Sequence, residues 1–166
     1  MATEGQVIYS GQGFSLRGEK GRFVLPPAFR KAVTESSDGK TLCLAKHERW
    51  NCLTGFGLSR RAELNALIAH EERVAIDRGQ DYDGDTRRIQ LFGFAELPFD
   101  SSGRFVMPDH IAGLGSLDES IFFSGAGSFF TLWNPEELYR MGPGWEGAQA
   151  ACRALAAENS AKGKGK

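Results

Sequence analysis

A six-residue phrase occurs twice in this chain of 166 residues. It reads GRFVLP over residues 21–26 and GRFVMP over residues 103–108, so the two copies differ only by leucine against methionine. An internal repeat indicates that one structural unit has been built twice. Each phrase is typical of a turn glycine, a short strand and a proline that ends the strand.

The repeat extends on both sides of the phrase. Gly11 matches Gly93 upstream, and residues 50–53 match residues 129–132 downstream. We therefore predict, in chain order, a first copy, a linking helix with a polar linker, a second copy, C-terminal helices and a disordered basic tail. The corresponding ranges are 7–55, 56–88, 89–134, 135–158 and 159–166.

The residue pattern of the first copy predicts a hairpin, a helical turn and a second hairpin. The first hairpin has strands at 14–17 and 22–25 around a turn, and the second has strands at 41–45 and 51–53. Ser59 is predicted to cap the linking helix, whose apolar residues follow helical spacing to about residue 78. The predicted fold class is therefore mainly β with flanking helices, an α+β protein.

Composition excludes several classes of function. No run of 18 apolar residues is present, so we expect no membrane span, and the N-terminus carries no secretory pattern, which favours the cytoplasm.

Three cysteines form no disulfide framework, and the only loose metal candidate is Cys43, His47 and Cys52. We expect no metal, no cofactor and no small-molecule substrate. The histidines lie in no nucleophile arrangement, so an enzyme is not expected.

Charge is distributed unevenly between the copies, although the formal net charge is only −1. Residues 14–33 carry five basic residues against one acidic residue, whereas residues 95–138 carry one basic against seven acidic. A basic first copy suits an anionic partner such as nucleic acid. An uneven surface charge without any partner is the alternative.

The residues around the repeat resemble a known signature. KGRFVLPPAFR, over residues 20–30, resembles that of the AbrB-type swapped-hairpin superfamily. Two copies joined by a helix, with an aromatic strand ending in Trp133-Asn134-Pro135, resemble the MraZ family over about residues 7–140. That resemblance implies two AbrB-like swapped-hairpin half-barrels forming a pseudo-twofold domain, with several chains closing into a ring homo-oligomer.

The MraZ family consists of bacterial transcriptional regulators of the division and cell-wall gene cluster. The resemblance implies a nucleoid-associated repressor that binds G-rich direct repeats in double-stranded promoter DNA, including that of its own operon. A ring suits direct repeats, because adjacent subunits present identical motifs in the same orientation.

The resemblance also places the DNA face on the loop and strand around the first-copy motif. Guanine offers two major-groove acceptors that a bidentate arginine reads, so we assign Arg22 to base reading or its orientation. The other positions are assigned to phosphate or structural roles. A fold role for Arg22 is the alternative, because Arg104 occupies the same position in the acidic copy. The predicted DNA-binding residues are Arg17, Lys20, Gly21, Arg22 and Arg30.

One position departs from the family pattern, which places an aspartate four residues before the arginine. The second copy has this aspartate at Asp100 before Arg104, whereas the first copy has Gly18. We therefore expect an Asp–Arg pair in the second copy. In the first copy, either Glu19 substitutes for the aspartate or Arg22 is freer to meet a ligand.

Two other functions remain as alternatives. A ring-forming scaffold without specific DNA binding would fit the missing aspartate and the near-neutral charge. An AbrB-type antitoxin would bind DNA and a toxin chain, but such proteins typically have a single copy.

Overall fold

The computed structural model describes the backbone of residues 6–164 and the side chains up to residue 160. This part of the chain contains eight strands, six α-helices and one short 3-10 helix at Glu19–Gly21, which confirms the predicted α+β class. The strands are β1 (Gln12–Leu16), β2 (Arg22–Val24), β3 (Thr41–Lys46), β4 (Leu53–Phe56), β5 (Ala95–Pro98), β6 (Arg104–Val106), β7 (Ser120–Gly125) and β8 (Phe130–Trp133). The helices are α1 (Pro27–Ser37), α2 (Arg60–Asp77), α3 (Gly84–Phe92), α4 (Asp109–Leu114), α5 (Pro135–Tyr139) and α6 (Glu146–Lys164).

The strands form one six-stranded sheet in the order β1-β7-β8-β4-β3-β5 and one ribbon of β2 with β6. All of these pairings are antiparallel. Each strand before residue 57 pairs with a strand after residue 94: β1 with β7, β2 with β6, β3 with β5 and β4 with β8. The two copies are therefore joined by hydrogen-bonded ladders and share their sheets.

This pairing corrects the predicted first hairpin. The strand at 22–25 was expected to return along the strand at 14–17, but β2 pairs with β6 and β1 pairs with β7. The backbone N–H of Val24 donates a hydrogen bond to the hydroxyl of Ser15 (2.8 Å). Because this N–H is bound to a side chain, it does not join a β1–β2 ladder. The predicted second hairpin is present as β3 and β4, but its second strand was predicted at 51–53 and lies at Leu53–Phe56.

Helix α3 was missed and lies partly in the predicted polar linker. Asp83 caps it by accepting a hydrogen bond from the backbone N–H of Thr86 (3.0 Å). Arg87 then joins it to α2 through Glu71 and to the β3–β4 connection through Glu48, each at 2.9 Å. Because polar contacts hold α3 in place, its residues do not show the helical spacing of apolar residues from which a helix is predicted. At the other end, α6 continues past the predicted end at 158, and residues 165–166 of the predicted tail lie outside the described residues.

Two buried clusters hold the fold together. The larger lies between the ribbon, α1 and the six-stranded sheet, and it includes Phe29, Phe123 and Phe130. The close approach at its centre requires glycine at 55, because a Cβ there would lie 2.5 Å from the ring of Phe130. The smaller cluster joins the sheet to α5 and α6, and it is centred on Trp133 with Cys152 from α6.

Candidate nucleic-acid interface

The ribbon of β2 and β6 has one buried face and one outward face. Phe23 and Phe105 are directly opposite each other, are 1% and 2% exposed, and have ring centroids 6.3 Å apart. Because side chains alternate along a strand, the neighbouring residues face the other way. The register pairs Arg22 with Val106 and Val24 with Arg104. The outward face therefore carries two arginines, and its valines are 39% and 56% exposed.

The first turn, residues 18–21, leads into the Arg22 end of this ribbon. The backbone N–H of Gly18 donates to the carbonyl oxygen of Arg22 (2.7 Å) and closes the turn. Lys20 and Gly21 both have left-handed backbone angles, with φ of 60° and 69°. That conformation suits glycine and strains lysine, so the turn itself favours glycine at position 21.

Arg17 lies against this turn. A Cβ on Gly21 would be 3.7 Å from Arg17 Nη2, which places the guanidinium over the turn. The Arg17 guanidinium also lies 3.8 Å from Glu119, whose side chain is 76% exposed. The structure thus gathers four of the five predicted residues, Arg17, Lys20, Gly21 and Arg22, at one end of the ribbon.

Arg22 is held loosely. Among the described residues, its side chain makes one hydrogen bond, from Nε to the backbone carbonyl oxygen of Glu19 (3.4 Å). Glu19 therefore supplies a backbone oxygen in place of the missing aspartate and does not neutralise the guanidinium. Since arginine has five N–H donors, most of those on Arg22 remain available to a ligand.

The second turn, residues 100–103, contains the predicted Asp–Arg pair, which is confirmed. Asp100 accepts hydrogen bonds from the backbone N–H groups of Ser102 and Arg104, both at 2.9 Å, and from Arg104 Nε at 2.8 Å. The pKa of Asp100 is lowered, chiefly by the bond from the Arg104 backbone. Arg104 lies on the same outward face as Arg22 but is tied to this carboxylate.

Arg30 lies apart from the other four predicted residues. Its Nε and Nη2 atoms donate to the carbonyl oxygen of Leu25 at 3.4 and 3.2 Å. The same guanidinium packs on the second turn, since a Cβ on Gly103 would lie 2.5 Å from Arg30 Nε. The two turns are at opposite ends of the antiparallel ribbon, so Arg30 is at the end far from the first turn. Its position depends on strand exchange, for which the sequence of the first copy has no signal.

The residues of the loose metal candidate, Cys43, His47 and Cys52, are already buried or hydrogen-bonded within the fold. Cys43 and Cys52 are fully buried, and burial raises the pKa of each thiol to about 12, which disfavours the thiolate that a metal needs. His47 Nδ1 accepts hydrogen bonds from the backbone N–H groups of Arg49 (3.1 Å) and Trp50 (3.2 Å). Within the described residues, no group of three or more potential ligands is placed to hold a metal ion.

Comparison with known proteins finds several similar chains, although no protein-family model matches. The transcriptional regulator MraZ of Caulobacter vibrioides is 32% identical over 122 residues, which cover 70% of this chain and 70% of that protein. MraZ of Rhodospirillum rubrum is 29% identical over 120 residues, covering 72% and 74% of the two chains. MraZ of Azoarcus sp. is 28% identical over 137 residues and covers 82% of each.

Similarity to these relatives places the chain among transcriptional regulators, and its own α+β fold carries an outward ribbon with two arginines. Such an element suits a DNA groove, which admits a two-stranded β-ribbon. The chain belongs to the MraZ family, as its repeat predicted. Membership implies DNA-binding regulation, and regulators of this family are not enzymes, as expected for this chain. None of the helices in the described part is both long and apolar enough to cross a membrane.

Proposed function

We propose that this protein binds double-stranded promoter DNA sequence-specifically through the outward face of the β2–β6 ribbon and the first turn. The main observation behind this proposal concerns Arg22. Its side chain lies on the outward face and makes only one hydrogen bond among the described residues. A guanidinium in this state can turn toward the O6 and N7 acceptors of a guanine. Lys20 on the first turn and Arg17 beside it are both exposed and are placed to meet phosphates.

We also propose that residues 7–55 and 89–134 are two AbrB-like swapped-hairpin half-barrels, which together form one pseudo-twofold domain. The order of strands in the six-stranded sheet supports this arrangement. If each of β1–β4 is replaced by its counterpart among β5–β8, and the reverse, the same order is read from the opposite edge of the sheet. The β2–β6 ribbon would lie on the pseudo-twofold axis. Arg22 and Arg104 would then be equivalent positions, of which only Arg104 has an aspartate partner.

The proposed biological role follows from family resemblance. We infer a repressor of the division and cell-wall gene cluster, including its own operon, that acts as a nucleoid-associated ring homo-oligomer on G-rich direct repeats. A ring with one ribbon per subunit would present the same motif at a regular spacing, as direct repeats require.

The test is fluorescence anisotropy with the duplex from upstream of the protein's own gene and with a shuffled duplex, at moderate salt. The wild type should prefer its own duplex. Arg22→Ala should remove this preference, with unchanged circular dichroism and unchanged mass by light scattering, because Arg22 contributes one long hydrogen bond to the fold. Arg22→Lys is the matched control, since it keeps the charge but loses the bidentate fork. It should retain salt-dependent binding without the preference.

A well-folded oligomer that binds neither duplex would refute the proposal and favour a ring-forming scaffold. Loss of the oligomer in Arg22→Ala would instead assign Arg22 to assembly. Co-purification of a toxin chain would favour the antitoxin alternative.

A further inference from the structure

The second turn is bordered by basic side chains that come from the first copy. A concavity of about 300 Å³ lies where α1 meets this turn. Arg30 and Lys31 line it from α1, and Lys40 lines it from the residue before β3. Asp100 and Ser101 of the second turn form the opposite side. Residues far apart in the sequence are thus gathered at one end of the ribbon.

Hydrogen bonds with backbone carbonyl oxygens fix the Arg30 side chain and the main chain at Lys40. The N–H of Phe99 donates to the carbonyl oxygen of Lys40 (3.2 Å), so Lys40 is fixed beside the segment that enters the second turn. Arg30 is fixed by its bonds to Leu25. Lys31 and Lys40 are exposed, and no described carboxylate forms an ion pair with either ammonium group.

The local charge at the second turn is positive, although the turn belongs to the acidic copy. The carboxylate of Asp100 is already compensated by the guanidinium of Arg104 and by two backbone N–H groups. Glu35 is the other acidic side chain that lines the concavity. Against these two acids stand the basic side chains of Arg30, Lys31, Lys40 and Arg104.

We propose that Lys31 and Lys40 form a second phosphate-binding surface, so that DNA is held at both ends of the ribbon. This inference rests on the proposed DNA binding. The DNA major groove is about 12 Å wide and has phosphates along both walls. Arg22 and Arg104 are offset by two residues along the ribbon, about 7 Å, and the first turn and the concavity lie beyond them at opposite ends. The first turn then meets one wall, and the two lysines meet the other.

The experiment is a salt titration from about 50 to 200 mM with the upstream duplex and with a shuffled duplex. It compares the wild type, a Lys31→Gln/Lys40→Gln variant and an Arg73→Gln/Arg78→Gln control. The control removes the same charge from exposed positions at the C-terminal end of α2. The lysine variant should bind up to about tenfold more weakly per lysine near 0.1 M salt. Both duplexes should be affected equally, and the log-log slope should be shallower by about 0.9 for each phosphate that the variant no longer neutralises.

Three results would overturn the inference. A lysine variant whose slope and affinity match those of the control would show that these lysines do not contact phosphate, while the wild-type preference for its own duplex would leave the proposed function intact. A change in mass by light scattering would assign the surface to contact with a second copy of this chain. A wild type that binds neither duplex would instead refute the proposed function, and this inference with it.

Discussion

Replacing Gly18 by aspartate should give Arg22 a carboxylate partner like the one that Arg104 has in Asp100. The two positions make the same backbone hydrogen bond, because the N–H of Gly18 donates to the carbonyl oxygen of Arg22 and the N–H of Asp100 donates to that of Arg104, at 2.7 and 3.0 Å. Gly18 has φ of −100°, which any residue adopts. A Cβ there would meet only the carbonyl oxygen of Arg22, at 3.4 Å. The site therefore has both the conformation and the space for aspartate.

The expected stabilisation has two parts. Replacing glycine at a compatible backbone position stabilises by about 0.4–1 kcal/mol, because the unfolded chain loses freedom. An exposed ion pair, such as the one that the introduced carboxylate would form with Arg22, adds about 0.2–1 kcal/mol. The total of about 0.6–2 kcal/mol corresponds to a rise in Tm of roughly 2–6 °C for a chain of this size.

Urea and thermal unfolding of Gly18→Asp, Gly18→Ala and the wild type would measure these parts separately. Gly18→Ala should show only the backbone contribution to the free energy of unfolding. Gly18→Asp should therefore have the higher free energy of unfolding at about pH 7. The difference should vanish in acid. A carboxylate held by Arg22 has a lowered pKa in the folded state, so its contribution is present above about pH 3.9 and is lost as the pH falls through the folded value. Equal stability of the two variants at neutral pH would refute the equivalence of the turns.

Three further predictions concern the rest of the fold. Glu71→Gln should lower the free energy of unfolding by about 1–2 kcal/mol, because Glu71 accepts two hydrogen bonds from Arg87, both at 2.9 Å. Those bonds lower the pKa of Glu71, so the difference seen in urea should shrink as the pH falls below about 4.3. The thiols of Cys43 and Cys52, buried and with pKa values of about 12, should react with Ellman's reagent at about pH 8 only after unfolding. Trp145→Ala should cost about 2–4 kcal/mol and alter the near-ultraviolet circular dichroism, because its ring packs edge-on against two other tryptophans.

Local signals in the sequence predicted some local elements, although Ser59 precedes α2 without making the predicted side-chain capping hydrogen bond. The C-terminal helices were predicted from residue 135, and α5 begins at Pro135, where Asn134 accepts a hydrogen bond from the backbone N–H of Glu136 (3.0 Å). The Asp100–Arg104 pair was expected from the family pattern and is present. These features depend on residues within four positions of one another, so a short stretch of sequence contains everything that determines them.

Pairing between the copies could not be predicted from the residues alone. A turn at 18–21 between two apolar stretches suits a simple hairpin, yet β2 reaches across to β6 because Phe23 is buried opposite Phe105. Nothing in either copy distinguishes pairing with itself from pairing with its counterpart, since the two copies have nearly the same phrase. For the same reason, Arg30 was grouped with the first turn although it lies on the second.

Strand exchange also changes what the charge difference between the copies means. Cations of the first copy surround the second turn, where Lys31 and Lys40 line the concavity beside Asp100. Conversely, an acid of the second copy borders the first turn, where Glu119 lies 3.8 Å from Arg17. The net charge of a stretch of sequence is therefore not the charge of the surface around its own turn. Each end of the ribbon combines residues from both copies, so divergence of either copy alters the field at both ends.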